Sequence, residues 1–340
     1  MGLFDFLKDL FNPVKGPPPG KGGPPVSRPG SGGRPVRPLA AGLPPARDTG
    51  ELAAILRTTP EKVAWLVRET GRHYATWQVP KAHGRRTIEA PKKQLRGVQR
   101  AIHREILSRV SPAEAAHGFR KGRSPRTNAS PHVAKEMVIK LDLRDFFWQV
   151  TRNRVAGLFR SLGYPEDVAL VLWRLCCHKG RLPQGAPTSP AITNLVCRRL
   201  DARLAAAIRS MNGDYTRYAD DLTFSFREAR LPMPRLARFL RRIISDEGFR
   251  VAPEKTRFLR RSSRQAVTGL TVNAKLSPPR REVRALRALL HEARLRGPEA
   301  ANRDHLKGFS AVVRGRIEAV RAIDRAKGEK LLAEYRRVSW

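Results

Sequence analysis

Two adjacent aspartates, Asp220 and Asp221, lie in a segment that otherwise has the composition of a β-strand. In TRYADDLTFSF, residues 216–226, apolar and polar residues alternate after the pair, which is the period of a half-buried strand. The pair is therefore expected at the tip of a hairpin, where neighbouring side chains can converge. Two carboxylates so close repel each other unless a proton or a cation lies between them. Mg²⁺ prefers oxygen ligands and often bridges to phosphates; the alternative is a solvated turn.

A third carboxylate, Asp142, lies near the end of an apolar strand predicted at 137–143. An ionised group there costs several kcal/mol unless it is paired or bound to a metal. If this strand lies beside the hairpin at 215–226, the three aspartates form a cluster that can hold two Mg²⁺ ions, with Mn²⁺ as an alternative. One ion would activate an attacking hydroxyl and the other would neutralise a leaving pyrophosphate, as phosphoryl transfer requires.

The composition favours nucleic acid as the partner. The chain has 340 residues and a formal charge of +37, from 67 Lys+Arg against 30 Asp+Glu. Such a surface attracts polyanions through counterion release from phosphates. A membrane surface or an acidic protein is the less favoured alternative. A genome rich in Arg codons would explain Arg over Lys, but not the more than twofold excess of base over acid.

The cysteines and the apolar runs indicate a protein of the reducing cytoplasm. Cys176 and Cys177 are adjacent, which suits neither zinc ligation nor a disulfide framework, and they are predicted to be core residues with Cys197. No apolar run reaches the length of a membrane span, and no secretory signal is visible.

The first 46 residues differ in composition from the rest. Residues 1–12 predict a short amphipathic helix, which could dock on a partner or a membrane surface or fold back on its own domain. Phe6 breaks the N-myristoylation pattern. Residues 13–46 are rich in Pro and Gly, cannot bury a core and are predicted to be a disordered linker.

From about residue 48 the patterns predict a globular α+β domain, with a mixed sheet carrying the acidic residues and helices packed behind it. About 340 residues is enough for two or three subdomains. The predicted helices are 50–70, 92–110, 153–178, 189–210, 233–247 and a basic helical region at 281–340, and the predicted strands are 137–143, the 215–226 hairpin and 266–273.

Four segments, in order over about 74–275, resemble the motifs of reverse transcriptases. KLDLRDFF resembles the first catalytic motif of the palm, and YADD the Y-x-D-D box of the second. LPQGAPTSPAITN, 182–194, is similar to the intervening nucleotide-binding motif, and YATWQVPKAHGRRTIEAP, 74–91, to the fingers segment that grips the triphosphate. The resemblance implies a right-hand polymerase fold, with fingers and palm over 48–275 and a basic, RNA-binding helical thumb over 276–340.

The resemblance implies RNA-directed DNA synthesis from dNTPs, with Asp142, Asp220 and Asp221 as catalytic metal ligands. Leu143 would contribute to both the metal and the nucleotide site. Gln184 would contact the incoming nucleotide, and the absence of a side chain at Gly185 would let the backbone approach closely.

Phe147 is implied as the side chain under the sugar that excludes a 2′-OH, with ordinary core packing as its alternative. Lys81 and Arg86 would clamp the triphosphate, and Arg85 could replace Arg86 in this role. Lys255 would protonate the departing pyrophosphate. The alternatives are solvated surface for the clamp residues and a structural role for Lys255.

Two further signatures are similar to those of retron reverse transcriptases, which copy part of their own structured RNA: Asn128-Ala129-x-x-His132 and VTG at 267–269. They imply RNA binding by Asn128, His132, Thr268 and Gly269, although Asn128 and His132 could instead be partly buried core residues. Retron membership implies a cognate non-coding RNA, priming from a 2′-OH, a branched RNA–DNA product (msDNA), and a role in anti-phage defence with a separate effector protein.

Two alternatives to the retron interpretation stay open. One is a group II-like or abortive-infection reverse transcriptase, which extends a conventional primer or adds nucleotides without a template. QGAPTSP argues against a diversity-generating enzyme, and the chain has no room for the appendages of a full-length group II intron protein. The other is an RNA-binding scaffold that restrains a toxin.

Overall fold

The computed structural model describes residues 38–80, 84–228 and 232–340. The amphipathic segment predicted at 1–12 lies outside these residues. The described chain combines helices with strands, which confirms the predicted α+β class, and none of its helices is long and apolar enough to cross a membrane. The helices are Thr49–Ile55 (α1), Pro60–Arg68 (α2), Lys93–Glu105 (α3), Pro125–Ala129 (α4), Arg152–Ser161 (α5), Glu166–Cys176 (α6), Ser189–Val196 (α7), Arg198–Arg209 (α8), Met233–Asp246 (α9), Arg280–Arg296 (α10), Pro298–Ala301 (α11), Phe309–Ile323 (α12) and Arg325–Tyr335 (α13).

The central sheet contains the strand and the hairpin that were predicted to meet. Its order is β4-β5-β3-β6, and every neighbouring pair is antiparallel. The predicted mixed sheet is corrected in this respect; a single parallel bridge, between Ala116 and Arg217, extends its β4 edge. The strands of the described chain are Tyr74–Pro80 (β1), Arg85–Pro91 (β2), Met137–Asp142 (β3), Asp214–Tyr218 (β4), Asp221–Phe226 (β5), Arg257–Arg260 (β6), Ala266–Val267 (β7) and Leu270–Thr271 (β8).

Strand β3 is buried on both faces. Met137, Ile139 and Leu141 belong to the main core, which they share with the helices packed on that side. Val138 points the other way, into a smaller cluster that includes Val267. A short, continuous apolar run is typical of a strand enclosed in this way. The enclosure fixes the position of the residue that ends the strand.

Two predicted helices are each divided in the structure. The helix predicted over 153–178 becomes α5 and α6, separated by a turn in which Gly163 has a φ of 99° and Pro165 precedes α6. The helix predicted over 50–70 becomes α1 and α2, and Pro60 begins α2. Proline lacks the N–H that continues a helix but is well suited to the first turn of a new one. The prolines therefore mark the breaks.

Residues 38–46 pack against the folded domain. The N–H of Ala40 donates to the carbonyl of Leu162 at 2.9 Å, and Leu43 is buried. A Cβ at Gly163 would lie 2.4 Å from the backbone of this segment, so glycine permits the close approach. The predicted end of the linker at residue 46 is therefore too late in the chain, because the Pro/Gly-rich composition concealed a few apolar anchors.

The single strand predicted at 266–273 is a tight hairpin of β7 and β8. Val267 pairs with Leu270, and the two residues between them, Thr268 and Gly269, have φ values of 45° and 83°. Positive φ at both central residues is the conformation of a two-residue I′ hairpin loop, in which glycine is preferred at the second position. The VTGL sequence carries this turn signal, and the strand prediction missed it.

The C-terminal helices α10–α13 confirm the helical region predicted at 281–340. They enclose a core of their own, to which Leu286, Ile317 and Leu331 contribute. Arg126 of α4 links this unit to the rest of the chain by donating to the carbonyl of Ala322 at 2.8 Å.

Candidate active site

The three predicted catalytic aspartates meet at one end of the central sheet. Asp142, the last residue of β3, pairs directly with Asp221, the first of β5. Side chains at such paired positions point to the same face, with Cβ atoms about 4.5–5.5 Å apart. Asp220 lies in the turn between β4 and β5, and its carbonyl accepts a hydrogen bond from the Leu143 N–H at 2.9 Å. The backbone of Leu143 therefore lies beside the carboxylates, where the sequence placed it.

The proximity of the carboxylates raises their pKa values. Burial is the main cause for Asp220, and repulsion by Asp142 and Asp221 adds to it. Burial also raises the pKa of Asp221. Lys255 Nζ lies 2.7 Å from Asp142 Oδ1. Burial acts to lower the pKa of Lys255, but its hydrogen bond to Asp142 and the surrounding negative charge raise it overall. The cluster thus favours a positive charge beside it.

The donor set fits a hard divalent cation, because carboxylate oxygens are the ligands that Mg²⁺ prefers. Within residues 38–80, 84–228 and 232–340, no three acidic, imidazole or thiol side chains are already arranged around one metal position. Asp142 is instead paired with Lys255. Binding of an ion by all three aspartates therefore requires Asp142 to exchange the ammonium group for the metal.

A pocket of about 500 Å³ opens in front of the carboxylates. It brings together β2, the segment after β3, the loop before α7 and the turn before β6, which are far apart in sequence. Lys81, the other predicted phosphate ligand, lies outside the described residues. The predicted nucleotide-site residues that line the pocket are Arg85, Arg86, Leu143, Phe147, Gln184 and Lys255.

The loop before α7 is held against β2. The Glu89 N–H donates to the carbonyl of Gln184 at 2.8 Å, which fixes Gln184 at the pocket. Gly185 has a φ of 135°, and a Cβ there would lie 3.1 Å from the Glu89 carbonyl oxygen. Glycine therefore permits a close approach to β2; its predicted approach to a nucleotide stays a prediction.

Phe147 combines the two interpretations given to it. It is half-buried and packs against the main core, and it also lines the pocket. Its ring centroid is 5.6 Å from that of Phe146 and 6.2 Å from that of Phe119. Phe119 was not predicted as a site residue, yet it also lines the pocket and is 53% exposed. An aromatic pair therefore forms this wall.

The turn that carries Asp220 is held from inside the protein by Arg217, a residue to which the sequence patterns assigned no role. Arg217 is fully buried and forms two hydrogen bonds to Asp201, Nε to Oδ1 at 2.8 Å and Nη2 to Oδ2 at 2.7 Å. Its Nη1 donates to the carbonyl of Ala219 and to Asn194 Oδ1, both at 3.1 Å. The residue directly before Asp220 is thereby tied to a buried ion pair.

Gly118 packs against the same turn. A Cβ at Gly118 would lie only 2.5 Å from the backbone nitrogen of Ala219. The carbonyl of Gly118 accepts a hydrogen bond from Asn194 Nδ2 at 2.9 Å, so one asparagine links both supports of the turn. Any side chain at position 118 would have to displace the turn.

The sequence matches the family described as "Reverse transcriptase (RNA-dependent DNA polymerase)" over residues 79–283, more than half of the chain. The chain belongs to the reverse transcriptase family. It is 40% identical over 323 residues to the retron Mx162 reverse transcriptase of Myxococcus xanthus, covering 83% of this chain and 65% of the relative. It is 43% identical over 266 residues to the retron Mx65 reverse transcriptase of the same organism, covering 73% and 62%.

A third relative places the chain among the retron-type reverse transcriptases. The retron Ec86 reverse transcriptase of Escherichia coli is 33% identical over 275 residues, covering 80% of this chain and 85% of that protein. The resemblance drawn from the sequence motifs is thus confirmed at the level of the family. The chain spans slightly less than two thirds of the length of the two Myxococcus relatives.

The predicted RNA contacts of Asn128 and His132 are corrected by their burial in this retron-type reverse transcriptase. Both residues are fully buried. His132 Nδ1 lies 2.7 Å from Ser225 Oγ and Nε2 lies 2.8 Å from Thr216 Oγ1, so the ring bridges β5 and β4. Burial lowers its pKa to about 3, which keeps it neutral. The spacing of four did place the two residues together, but against the sheet.

Thr268 and Gly269, the other predicted RNA contacts, occupy the loop of the β7–β8 hairpin. Gly269 is exposed. Thr268 is half-buried, and its hydroxyl donates to the carbonyl of Pro125 at 3.0 Å. The hairpin is thereby attached to α4, and its RNA-binding role stays a prediction.

Proposed function

We propose that this protein is an RNA-directed DNA polymerase that copies a structured RNA into DNA. The observation that carries the proposal is the pairing of Asp142 with Asp221 at a pocket lined by Arg85, Arg86 and other predicted nucleotide-site residues. Paired carboxylates opposite cationic side chains suit phosphoryl transfer, in which catalysis depends on positioning and on neutralising charge.

The residues around the pocket divide the work of nucleotide addition. When bound by Asp142, Asp220 and Asp221, Mg²⁺ (or Mn²⁺) would help to activate the attacking hydroxyl and neutralise phosphate charge. The guanidinium groups of Arg85 and Arg86 hold the triphosphate. Each addition forms a bond between the attacking oxygen and the α-phosphorus and breaks the bond to pyrophosphate.

We infer that the template is a cognate non-coding RNA, and that a 2′-OH of this RNA primes synthesis to give branched RNA–DNA. The named retron relatives support this. The thumb would hold an RNA stem by its shape and phosphates; in support, α10 exposes Arg281, Arg284, Arg287 and Arg294. A role in anti-phage defence, with a separate effector protein, belongs to the same proposal.

The decisive experiment is to purify the protein from its native locus and sequence the nucleic acid that accompanies it. Single-stranded DNA joined to a structured RNA through a 2′ branch, and absent when the catalytic aspartates are replaced, is the expected result. Unbranched or random-sequence DNA would place the protein with the group II-like or abortive-infection enzymes. RNA without DNA, with dNTPs in excess, would favour the scaffold that restrains a toxin.

Replacement of Phe147 by Val should let the enzyme accept ribonucleotides. The smaller side chain opens space under the sugar, and shape discrimination of this kind is worth about 10- to 200-fold. The measurement is the ratio of kcat/KM for rGTP and dGTP in primer extension. Phe119→Val, which alters the neighbouring ring, is the matched control. An unchanged ratio in Phe147→Val would leave Phe147 with core packing alone.

Replacement of Lys255 by Met should lower the rate of the chemical step. Loss of a general acid costs about 10²- to 10⁴-fold. Single-turnover extension should show this fall with little change in the KM for dNTP, whereas the exposed Lys93→Met should behave like the parent. A change in KM alone would instead assign Lys255 to nucleotide binding.

A further inference from the structure

A second cavity, of about 670 Å³, lies between α9 and the edge strand β6. Met137 contributes to its lining from β3. Arg238 and Arg241 belong to the α9 wall, and Phe258 and Arg260 to the β6 wall. We call this cavity the α9–β6 groove.

The strand register separates this groove from the catalytic cluster. Arg260 pairs with Met137 and Phe258 pairs with Ile139. Because paired residues share a face, Phe258 and Arg260 lie on the face of Met137, whereas Asp142 lies on the opposite face. Met137 and Asp142 are also at opposite ends of β3, about 17 Å apart at roughly 3.3 Å per residue. A template–primer held at the carboxylates therefore leaves the groove open.

The groove combines cationic side chains with an exposed aromatic ring. Arg238, Arg241 and Arg260 are exposed, and Phe258 is 43% exposed. Among the described residues, no Asp or Glu lines the groove. Two serines, Ser262 and Ser263, add hydroxyl groups to the lining. The surface is thus built for an anion that also presents flat apolar groups.

We propose that the α9–β6 groove binds single-stranded nucleic acid. Non-specific binding of single strands combines a positive groove that follows the backbone with aromatic side chains on which bases stack. The arginines on both walls match the first requirement, and Phe258 matches the second. A duplex hides its bases and would leave Phe258 unused, and an acidic peptide would engage the arginines without a base to stack. The strand comes from DNA product or from RNA.

The proposal is tested by the affinity of the full chain for fluorescein-labelled (dT)₂₀ and (U)₂₀, measured by anisotropy with the catalytic cleft filled by an unlabelled template–primer duplex. Phe258→Ala should weaken binding about tenfold, the effect of losing one stacked base. Arg238→Gln/Arg260→Gln should weaken it and reduce the salt dependence, log K against log[salt], by about 1.4 for two lost phosphate contacts. Phe258→Trp should retain the affinity.

The matched control is Arg68→Gln/Arg100→Gln, which removes the same charge from exposed positions on α2 and α3. Groove variants should bind more weakly than this control while extending a primer at the parental rate. A loss with (dT)₂₀, with (U)₂₀ or with both supports the site and tells which strand it takes. Groove variants equal to the control would overturn the proposal, as would an equal loss with a labelled duplex, or a loss confined to a labelled poly-Glu peptide.

These binding measurements need no dNTP, so they do not depend on the proposed polymerase activity. If neither the parent nor the variants extend a primer, the proposed function fails while the groove is still judged by its affinity. If primer extension is normal and the affinities do not change, the groove proposal alone fails.

Discussion

Replacing both Asp220 and Asp221 by Asn should abolish DNA synthesis. The two amides keep the size of the side chains but remove the negative charges that hold the metal ions. Removing one group that stabilises transition-state charge costs about 10²–10³ in rate, so the double replacement should exceed a thousandfold. The measurement is extension of a DNA primer on an RNA template with Mg²⁺, with purified protein at equal concentration.

RNA binding separates the catalytic from the scaffold interpretation. The double Asn variant should bind its RNA as tightly as the parent, because the aspartates would repel phosphate and not attract it. Asp214→Asn, at the other end of β4, is a control that replaces an acidic residue away from the pocket. A cellular phenotype that survives in the variant without synthesis would favour the scaffold.

The same variant should be more stable than the parent when metal is removed. Folding raises the pKa of Asp220 and of Asp221 by burial, so at pH 7 the ionised folded state bears an electrostatic cost that the unfolded chain lacks. This cost falls as pH decreases through the folded-state pKa and is absent below the ordinary carboxyl value of about 4. In EDTA, the Tm advantage of the variant should therefore be greatest at pH 7 and shrink toward pH 4.

The parts of the site that could be predicted are those whose signal is local in sequence. A carboxylate at the end of an apolar run located Asp142, and an alternating pattern after an Asp-Asp pair located the β4–β5 hairpin. That these two elements are neighbours followed from the need to compensate their charges. The structure confirms this with direct pairing of Asp142 and Asp221.

The parts that were missed depend on contacts between distant segments. Arg217 stands in TRYADD among strand-forming residues, and in a chain with 67 Lys and Arg a single arginine carries no signal. Its partner Asp201 lies on α8 and reads as one polar position of an amphipathic helix. Asn128 and His132 failed in the opposite sense, because a helical spacing shows that two residues share a face but not whether that face meets solvent or a sheet.

Replacing Arg217 by Met should destabilise the protein and slow catalysis for two separable reasons. The variant leaves Asp201 fully buried and without its cation, and breaking a buried pair in this way costs about 3–5 kcal/mol. For a chain of this size that corresponds to a fall in Tm of roughly 10 °C. The carbonyl of Ala219 also loses its donor, so the turn that carries Asp220 is no longer fixed.

A second replacement distinguishes these two effects. In Arg217→Met/Asp201→Asn no uncompensated charge is buried, and the amide still provides an oxygen for the Tyr215 hydroxyl, which lies 2.8 Å from Asp201 Oδ1. Most of the lost stability should return, since removing both charges of a buried pair is far less costly than removing one. The rate should not return, because nothing in the double variant holds the Ala219 carbonyl.

The kinetic signature of this positioning role is a fall in kcat of up to about 100-fold, the cost of a misplacement of roughly 1 Å. The KM for dNTP should stay near that of the parent, because Arg217 does not line the pocket. Arg217→Lys keeps the charge but cannot pair with Asp201 through two nitrogens and also reach Ala219, so its kcat should fall between the other two. If the double variant regained both Tm and kcat, Arg217 would act through folding alone.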